Sequence, residues 1–190
     1  MARKNIAISG KFAVGKTSAA EILVNNAGYK RLSMAQPIKD FVLQAYGTID
    51  KGVTLSTYPD GQKSVRQVMQ EVGQRMKEVD RDIWLKMLKS QIDECFYVGT
   101  PVVIDDMRFP FEADFLRDNG FIIARLTAPD SVRFARYSAI YGRPPSHKEI
   151  HDTSEVHVPL ISADIEIDGE ESPEAVADRL AALAEGENNG

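Results

Sequence analysis

Eight consecutive residues carry the strongest chemical signal in this 190-residue chain. Gly10-Lys11-Phe12-Ala13-Val14-Gly15-Lys16-Thr17 fits the spacing G-x-x-x-x-G-K-[ST]. Glycines let successive backbone N–H groups turn inward on an anion, and a helix that starts just after them adds its positive end. In such a loop Lys16 reaches the β- and γ-phosphates of ATP, and the Thr17 hydroxyl ligates Mg²⁺. Gly10, Lys11, Ala13, Val14, Gly15, Lys16, Thr17 and Ser18 are therefore the expected phosphate-binding set. The context agrees. Apolar Ile6-Ala7-Ile8 runs into the loop as a strand, and a helix-compatible stretch runs out of it.

A second cluster lies at Val102-Val103-Ile104-Asp105-Asp106-Met107-Arg108. Two carboxylates and an arginine follow a short apolar run there, where a buried strand emerges. In open α/β sheets the carboxyl ends of the strands are where ligands bind. A carboxylate at that edge can hold a Mg²⁺-bound water or orient an attacking oxygen, and Arg108 can grip a phosphate with two parallel hydrogen bonds. Thr17, Asp105 and Asp106 are the candidate metal residues. A solvated turn with a local salt bridge is the plainer reading. Alternation does not separate Asp105 from Asp106, because both faces of the strand read as buried.

Two further segments carry basic side chains. Val65, Val68, Met69 and Val72 fall at helical spacing and define one apolar face, while Arg66 and Gln70 sit i, i+4 on another. That pair either holds an acceptor or forms a solvated face. Arg75, Arg81, Asp82 and Trp84 follow, and Trp84 reads either as core or as a base-stacking platform. Farther on, Arg133 and Arg136 share a helix face and Arg143 lies just beyond Gly142, ahead of Pro144 and Pro145. A mobile segment with these three arginines would neutralise developing charge and exclude water during phosphoryl transfer, whereas the alternative is a solvated basic helix. The three histidines, His147, His151 and His157, lie within eleven residues. They do not make a convincing zinc motif, because Glu149 stands one position too late for H-E-x-x-H and no cysteine is near.

Strands and helices must alternate to bring these groups together. Apolar runs at Asn5–Ser9, Pro101–Asp105, Phe121–Leu126 and Ala163–Ile167, with a weaker one at Tyr29–Leu32, read as buried parallel strands. Helices are expected over Lys16–Asn26, over Phe111–Asn119 before Gly120, and over Pro173–Ala184 after a Ser172 cap. The alternation implies an α/β layered fold with right-handed crossovers. Residues 36–98 exceed what one crossover needs and read as a helical insertion. The segment around His147–His151 reads as loop. A net charge of −5 argues against a broad nucleic-acid-binding surface. The single cysteine, Cys95, excludes an internal disulfide. No signal peptide is expected, and no apolar stretch reaches the roughly 20 residues of a membrane span, so a cytoplasmic location is expected.

Taken together, these features resemble the bacteriophage deoxynucleoside monophosphate kinases, within the P-loop nucleoside monophosphate kinase superfamily. The resemblance runs from about Asn5 to Leu183. It rests on Ser9-Gly10-Lys11 leading into Gly15-Lys16-Thr17, on Ala35-Gln36-Pro37-Ile38-Lys39, and on Arg66 through Gly73 with Asp82 and Trp84. Ile104-Asp105-Asp106-Met107-Arg108-Phe109-Pro110-Phe111-Glu112-Ala113 is its narrowest part, and His151-Asp152-Thr153-Ser154-Glu155 follows. The resemblance implies a three-layer P-loop kinase fold, with a five-stranded parallel sheet and helices on both faces. It also implies ATP and Mg²⁺, a nucleotide acceptor and a closing lid. It implies one domain over 1–184, an acceptor-binding insertion over 36–98, a lid-like segment over 133–157 and a flexible tail over 185–190. Lys16, Asp106, Arg108 and Arg136 become the expected catalytic set, and Lys39, Arg66, Gln70, Trp84 and Arg108 the acceptor-binding set. Arg133, Arg136 and Arg143 are the lid arginines. Asp106 is favoured as the carboxylate nearer the reacting phosphates, with Asp105 supporting it beside Lys16 or a backbone donor.

Two residues depart from the family pattern. Gln36 replaces a usual aspartate, and Asp168-Gly169 replaces an asparagine-containing turn near the adenine. The lid stretch is longer than in compact relatives and closer to that of dephospho-coenzyme A kinases. A kinase of a modified pyrimidine nucleotide or another small phosphorylated metabolite stays open, as do a non-kinase ATPase and a homodimer.

Overall fold

The computed structural model describes residues 3–50, 52–57 and 61–186. Its elements run β1 (Asn5–Ser9), α1 (Lys16–Ala27), β2 (Lys30–Leu32), α2 (Gln36–Tyr46), β3 (Thr54–Thr57), β4 (Gly61–Ser64), α3 (Val65–Val79) and α4 (Ile83–Tyr97). They continue β5 (Val102–Ile104), α5 (Pro110–Asp118), β6 (Phe121–Thr127), α6 (Asp130–Tyr141), α7 (His147–Ile150), α8 (Thr153–His157), β7 (Ile165–Asp168) and α9 (Pro173–Glu185). A 3-10 turn over Val158–Leu160 precedes β7.

Five strands pair in parallel in the order β2-β5-β1-β6-β7, with helices on both sides of the sheet. The expected three-layer α/β fold is therefore present. The first strand sits in the middle, and the chain builds one half of the sheet before the other. Strand order thus reverses at β1, and the loop after it opens into the crevice where such sheets bind ligands. The register holds the crevice together, since Ser9 at the end of β1 pairs with Arg125 of β6. Ile6, Ile8, Val103, Ala124 and Leu126 are almost fully buried in the sheet. Leu23 of α1 and Val176 and Leu180 of α9 complete that core. The helix after the phosphate loop is in this way clamped against the sheet.

The chain divides into two compact units. One comprises Met1–Ser33 and Cys95–Gly190, and the other Met34–Glu94. The second unit occupies most of the expected insertion. Within it, α3 starts on a reciprocal cap, in which the Ser64 hydroxyl accepts the Gln67 N–H and the Gln67 side chain accepts the Ser64 N–H. Val65 and Val68 are buried with Val42 of α2 and Leu55 of β3, and Met69 and Val72 pack against them. The apolar face expected for this helix is the one it buries. The unit is not purely helical, because β3 and β4 form an antiparallel hairpin. The hairpin is polar, with Thr-Leu-Ser-Thr paired to Gly-Gln-Lys-Ser, so it lacks the apolar alternation that would have announced it.

Other boundaries also shift. The segment around His147–His151, expected as loop, holds the short helix α7, which Ser146 caps by accepting the Glu149 N–H. Of the tail expected over 185–190, Glu185 ends α9 and Gly186 caps it. The remainder of that tail, 187–190, lies outside the described residues. No helix among the described residues is long and apolar enough to cross a membrane.

Candidate active site

The loop between β1 and α1 wraps back over its own lysine. Gly10 takes φ 149°, and a Cβ there would lie 2.7 Å from the Leu126 carbonyl oxygen, so only glycine lets the loop turn so close to β6. Ala13 adopts a left-handed φ of 56° and Gly15 one of 109°. Lys16 opens α1, and its Nζ donates to the carbonyls of Gly10 at 2.6 Å and Lys11 at 2.9 Å. Neutral carbonyls only partly replace the hydration that an ammonium loses. Burial therefore pushes Lys16 down to about 8, and the positive charge of Arg108 pushes it the same way. The site holds a cation in want of an anion, which fits a phosphate.

The strand-end carboxylates separate by role. Asp105 is buried and Asp106 half-buried. The Thr17 hydroxyl donates to Asp105 Oδ2 at 2.8 Å, so the two oxygens expected to serve Mg²⁺ lie side by side. Arg31 at the end of β2 donates to both oxygens of Asp105, at 2.8 and 2.7 Å. Asp106 instead accepts the Ser33 hydroxyl at 2.5 Å. The expected partner of Asp105, Lys16 or a backbone donor, is thus replaced by Thr17 and Arg31. The structure brings Thr17 and Asp105 together and holds Asp106 apart on Ser33. Among the described residues, no group of three or more His, Cys, Asp or Glu side chains is placed to hold a metal ion. Oxygen donors of the Thr17–Asp105 kind suit Mg²⁺, which keeps most of its waters and takes few protein ligands.

Helix α6 lies over the loop. Arg133, Arg136 and Tyr137 fall at i, i+3 and i+4, and all three face it. Arg133 is only 2% exposed. It donates to Phe12 O at 3.2 Å, pairs with Asp130, and lies 4.9 Å from the centre of the Phe12 ring. Phe12 stacks on Phe134 and meets Tyr137 edge-on. Arg136 donates to the carbonyls of Val14 at 3.2 Å and Gly169 at 2.7 Å, tying the phosphate loop to the turn after β7. A Cβ on Gly169 would stand 2.8 Å from Val14 Cγ2, so the glycine in the unexpected Asp168-Gly169 turn permits that approach.

The lid arginines therefore do not hang free. Arg133 and Arg136 are built into the wall of the site, and Arg143 makes a fork to both oxygens of Glu149 at 2.8 and 2.9 Å. That fork, with Tyr137 and Ser146 also donating, holds the Glu149 carboxyl well below its ordinary range. Between loop, α6 and α9 lies a cavity of about 700 Å³, lined on its apolar side by Tyr137, Ile140, Tyr141, Pro173 and Val176. Its floor is the loop from Phe12 to Ser18. It is large enough for a nucleoside attached to phosphates on the loop.

The residues expected on the acceptor side lie in the second unit. Arg66 and Gln70 are exposed on α3, and Lys39 is half-buried on α2. Trp84 is 5% exposed, and its indole N–H donates to Gly73 O at 3.0 Å. Its reading as an acceptor contact is corrected accordingly: Trp84 is a core strut of that unit, with its one polar atom satisfied inside. Arg108 belongs to the first unit, exposed beside the buried Glu155, with 3.6 Å between their charged groups.

Three participants had no label from motif spacing. They are Arg31, which binds Asp105; Ser33, which binds Asp106; and Glu155, which accepts the Phe12 backbone N–H at 3.0 Å. The His151–Glu155 run was the available signal for Glu155, but nothing in it pointed to Phe12.

A glycine-rich loop at the switch point of a parallel sheet, with a half-buried lysine and a hydroxyl–carboxylate pair, defines a P-loop nucleotide-binding protein. Residues 6–157 match the family described as AAA domain, and the chain belongs to that family. It is similar over nearly its whole length to a sugar kinase from Janibacter sp. HTCC2649, at 18% identity and a TM-score of 0.60, covering 98% of this chain and 96% of that one. Shikimate kinase from Aquifex aeolicus is 18% identical with a TM-score of 0.59, covering 98% and 99%. Dephospho-CoA kinase from Campylobacter jejuni is 13% identical with a TM-score of 0.52, covering 100% of both chains. At these identities the likeness is one of fold, and the fold is that of P-loop kinases. No curated protein sequence is significantly similar to the chain.

Proposed function

We propose that the protein is an ATP-dependent kinase that transfers the γ-phosphoryl group to a deoxynucleoside monophosphate. The observation that carries the reading is Lys16, a half-buried ammonium whose hydrogen-bond partners are the carbonyls of Gly10 and Lys11, set beside the Thr17–Asp105 pair. The loop N–H groups and Lys16 would hold the phosphates, and the cavity under Tyr137 and Tyr141 would hold the nucleoside. Thr17 and Asp105 would hold Mg²⁺, which neutralises charge on the transferring group. Asp106 would orient the acceptor oxygen, and Arg108 would neutralise acceptor and transferring phosphates. Arg136 would keep the loop fixed to the cavity wall while charge develops.

Residues 36–98 would form the acceptor module of a single kinase domain, with Lys39, Arg66 and Gln70 as its acceptor-binding groups. Residues 133–157 would be the segment that closes. A monophosphate needs cationic partners, and within the first unit exposed Arg108 offers one. The second reading is a hydroxyl acceptor without a phosphate, as the names of the sugar and shikimate kinases suggest. A hydroxyl must lose a proton on transfer, and Asp106 would then act as base. Coupled ADP release separates the readings. Strong stimulation by a deoxynucleoside monophosphate, with the nucleoside much poorer, is expected. Stimulation by a sugar or hydroxy acid alone would replace the nucleotide reading, and ATP turnover without any acceptor would replace both.

A further inference from the structure

Phosphate loops offer backbone N–H groups to an anion, and in this chain the Phe12 N–H of that loop already has an anion. Glu155 on α8 is 5% exposed, and its Oε1 and Oε2 accept the Phe12 N–H at 3.2 and 3.0 Å. Arg108 Nη1 stands 3.6 Å from Oε1, and the negative charge of Glu155 acts to hold the proton on Lys16. A carboxylate this deeply buried persists only where its charge is compensated. Here the compensation comes from the Phe12 N–H of the loop and from two cations that a triphosphate would engage, Lys16 and Arg108. The contact spans 143 residues of sequence, so it is not a local turn that forms by default.

We propose that Glu155 is an internal occupant of the phosphate site, which a nucleotide's phosphates must displace. The proposal rests on the reading of the loop as an ATP site. Two anions cannot share one set of cations in a site shielded from water without strong repulsion. Binding of ATP and seating of Glu155 are therefore alternatives, and the ligand's apparent affinity is reduced by the fraction of molecules in which the carboxylate is seated. Withdrawal of Glu155 would carry α8 with it. On its other side that short helix is held by the His157 ring against Phe109, at 5.3 Å between centres, and by buried Val158 just after it. The ligand-free state is thus latched by the protein's own charge, and the latch yields only to a ligand that brings its own anion. Adenosine, which lacks phosphates, has no reason to move it.

The test is calorimetric titration of ATP and of adenosine into wild type and Glu155→Gln, with hydrogen exchange followed over residues 153–160. The amide oxygen of Gln can still accept the Phe12 N–H, so the variant keeps the contact and loses the charge. ATP should bind Glu155→Gln about tenfold or more tightly than wild type. Adenosine should bind both alike. In wild type, ATP should speed exchange over 153–160 rather than slow it. Equal or weaker ATP binding by a folded Glu155→Gln would overturn the proposal and make Glu155 a brace of the loop. If the variant does not fold, wild-type exchange decides, and unchanged or slower exchange on ATP binding would overturn it. Failure of both proteins to bind ATP would remove the ATP reading, and the latch with it.

Discussion

Lys16 of the phosphate loop and Arg143, just beyond α6, handle charge in opposite ways. Arg143 is exposed, and Glu149 returns a complete fork of hydrogen bonds to it. Its charge is satisfied within the fold. Lys16 is enclosed by the loop with only two carbonyl oxygens to receive it, and its pKa falls to about 8. The first arrangement is finished without a ligand, and the second is not. A protein that kept Lys16 only for stability would do better with an apolar side chain there, since burying an ammonium without a direct counter-ion is costly. A binding role at the loop and a bracing role at the Arg143–Glu149 fork would produce this contrast.

The sharpest way to break that contrast is to remove the unsatisfied charge. Lys16→Ala should fold and lose most phosphoryl transfer, roughly 10²-fold or more, because charge stabilisation in the transition state is worth several kcal/mol. Steady-state turnover on the folded variant checks this, and near-normal turnover would end the assignment of the loop. Next in size are the two carboxylates. Asp106→Asn should lower turnover by about 10² with little change in ATP binding, because it removes positioning of the acceptor. Asp105→Asn should instead raise the Mg²⁺ requirement and lower the melting temperature, since Asp105 is the buried partner of both Thr17 and Arg31. Mg²⁺ titrations and melting curves on both variants distinguish the two roles. Reversed behaviour would move the catalytic label to Asp105.

A smaller effect follows from the titration of Lys16. Its folded pKa lies below its ordinary value of 10.5, so the unfolded chain holds more protons between about pH 8 and 10.5. Below that window both states are charged and the native state bears the full cost of burial. As pH rises through the window the cost is relieved, and stability should rise relative to a chain without the lysine. Lys16→Met should therefore be more stable than wild type at pH 7 by about 1–3 kcal/mol, with the gap closing above pH 8. Denaturant melts at pH 7 and pH 9.5 check the sign. An unchanging gap would mean that Lys16 is not the titrating group. Binding of a phosphate anion should restore the proton, so ATP binding near pH 8 to 9 should take up protons, visible as a buffer-dependent heat.

How far the sequence showed all this depends on the range of each contact. The phosphate loop was legible because spacing, strand and helix all lie within about twenty residues and need no partner elsewhere. The parallel strands were legible because burial on both faces leaves a continuous apolar run, as in Ile6-Ala7-Ile8. Arg31, Ser33 and Glu155 were not, because each meets its partner across 73 or more positions. Glu155 and Arg136 moreover bind backbone atoms, which leave no mark on residue type at the other end. Arg133 read as a lid residue because a basic helix face looks alike whether it faces solvent or an aromatic ring such as Phe12. Trp84 was ambiguous for a related reason, since its indole N–H is satisfied by the carbonyl of Gly73 rather than by a side chain.

The smallest predicted effect tests the other half of the contrast. If the Arg143–Glu149 fork is a brace, Glu149→Gln should leave turnover within about threefold of wild type, since exposed pairs contribute little and no reacting group is touched. What should change is local. Glu149 accepts from Arg143, Tyr137 and Ser146, and it supplies the third residue of the α7 cap. Gln keeps one acceptor oxygen and puts an NH2 donor where the other stood, so the two-pronged fork and the Tyr137 or Ser146 bonds on that oxygen are lost, and exchange of amides in His147–Ile150 should quicken while that of α1 stays the same. The depressed pKa of Glu149 adds a condition. Above its ordinary carboxylate range the group is ionised in either state and the brace is complete, and protonation begins to undo it only well below that range. Wild type and Glu149→Gln should therefore differ in α7 exchange at neutral pH and throughout the mildly acid range. A large loss of turnover in Glu149→Gln would show that Arg143, released from its partner, matters to the reacting phosphates. The fork would then be a resting place for a lid arginine rather than a brace, and Lys16 and Arg143 would be alike after all.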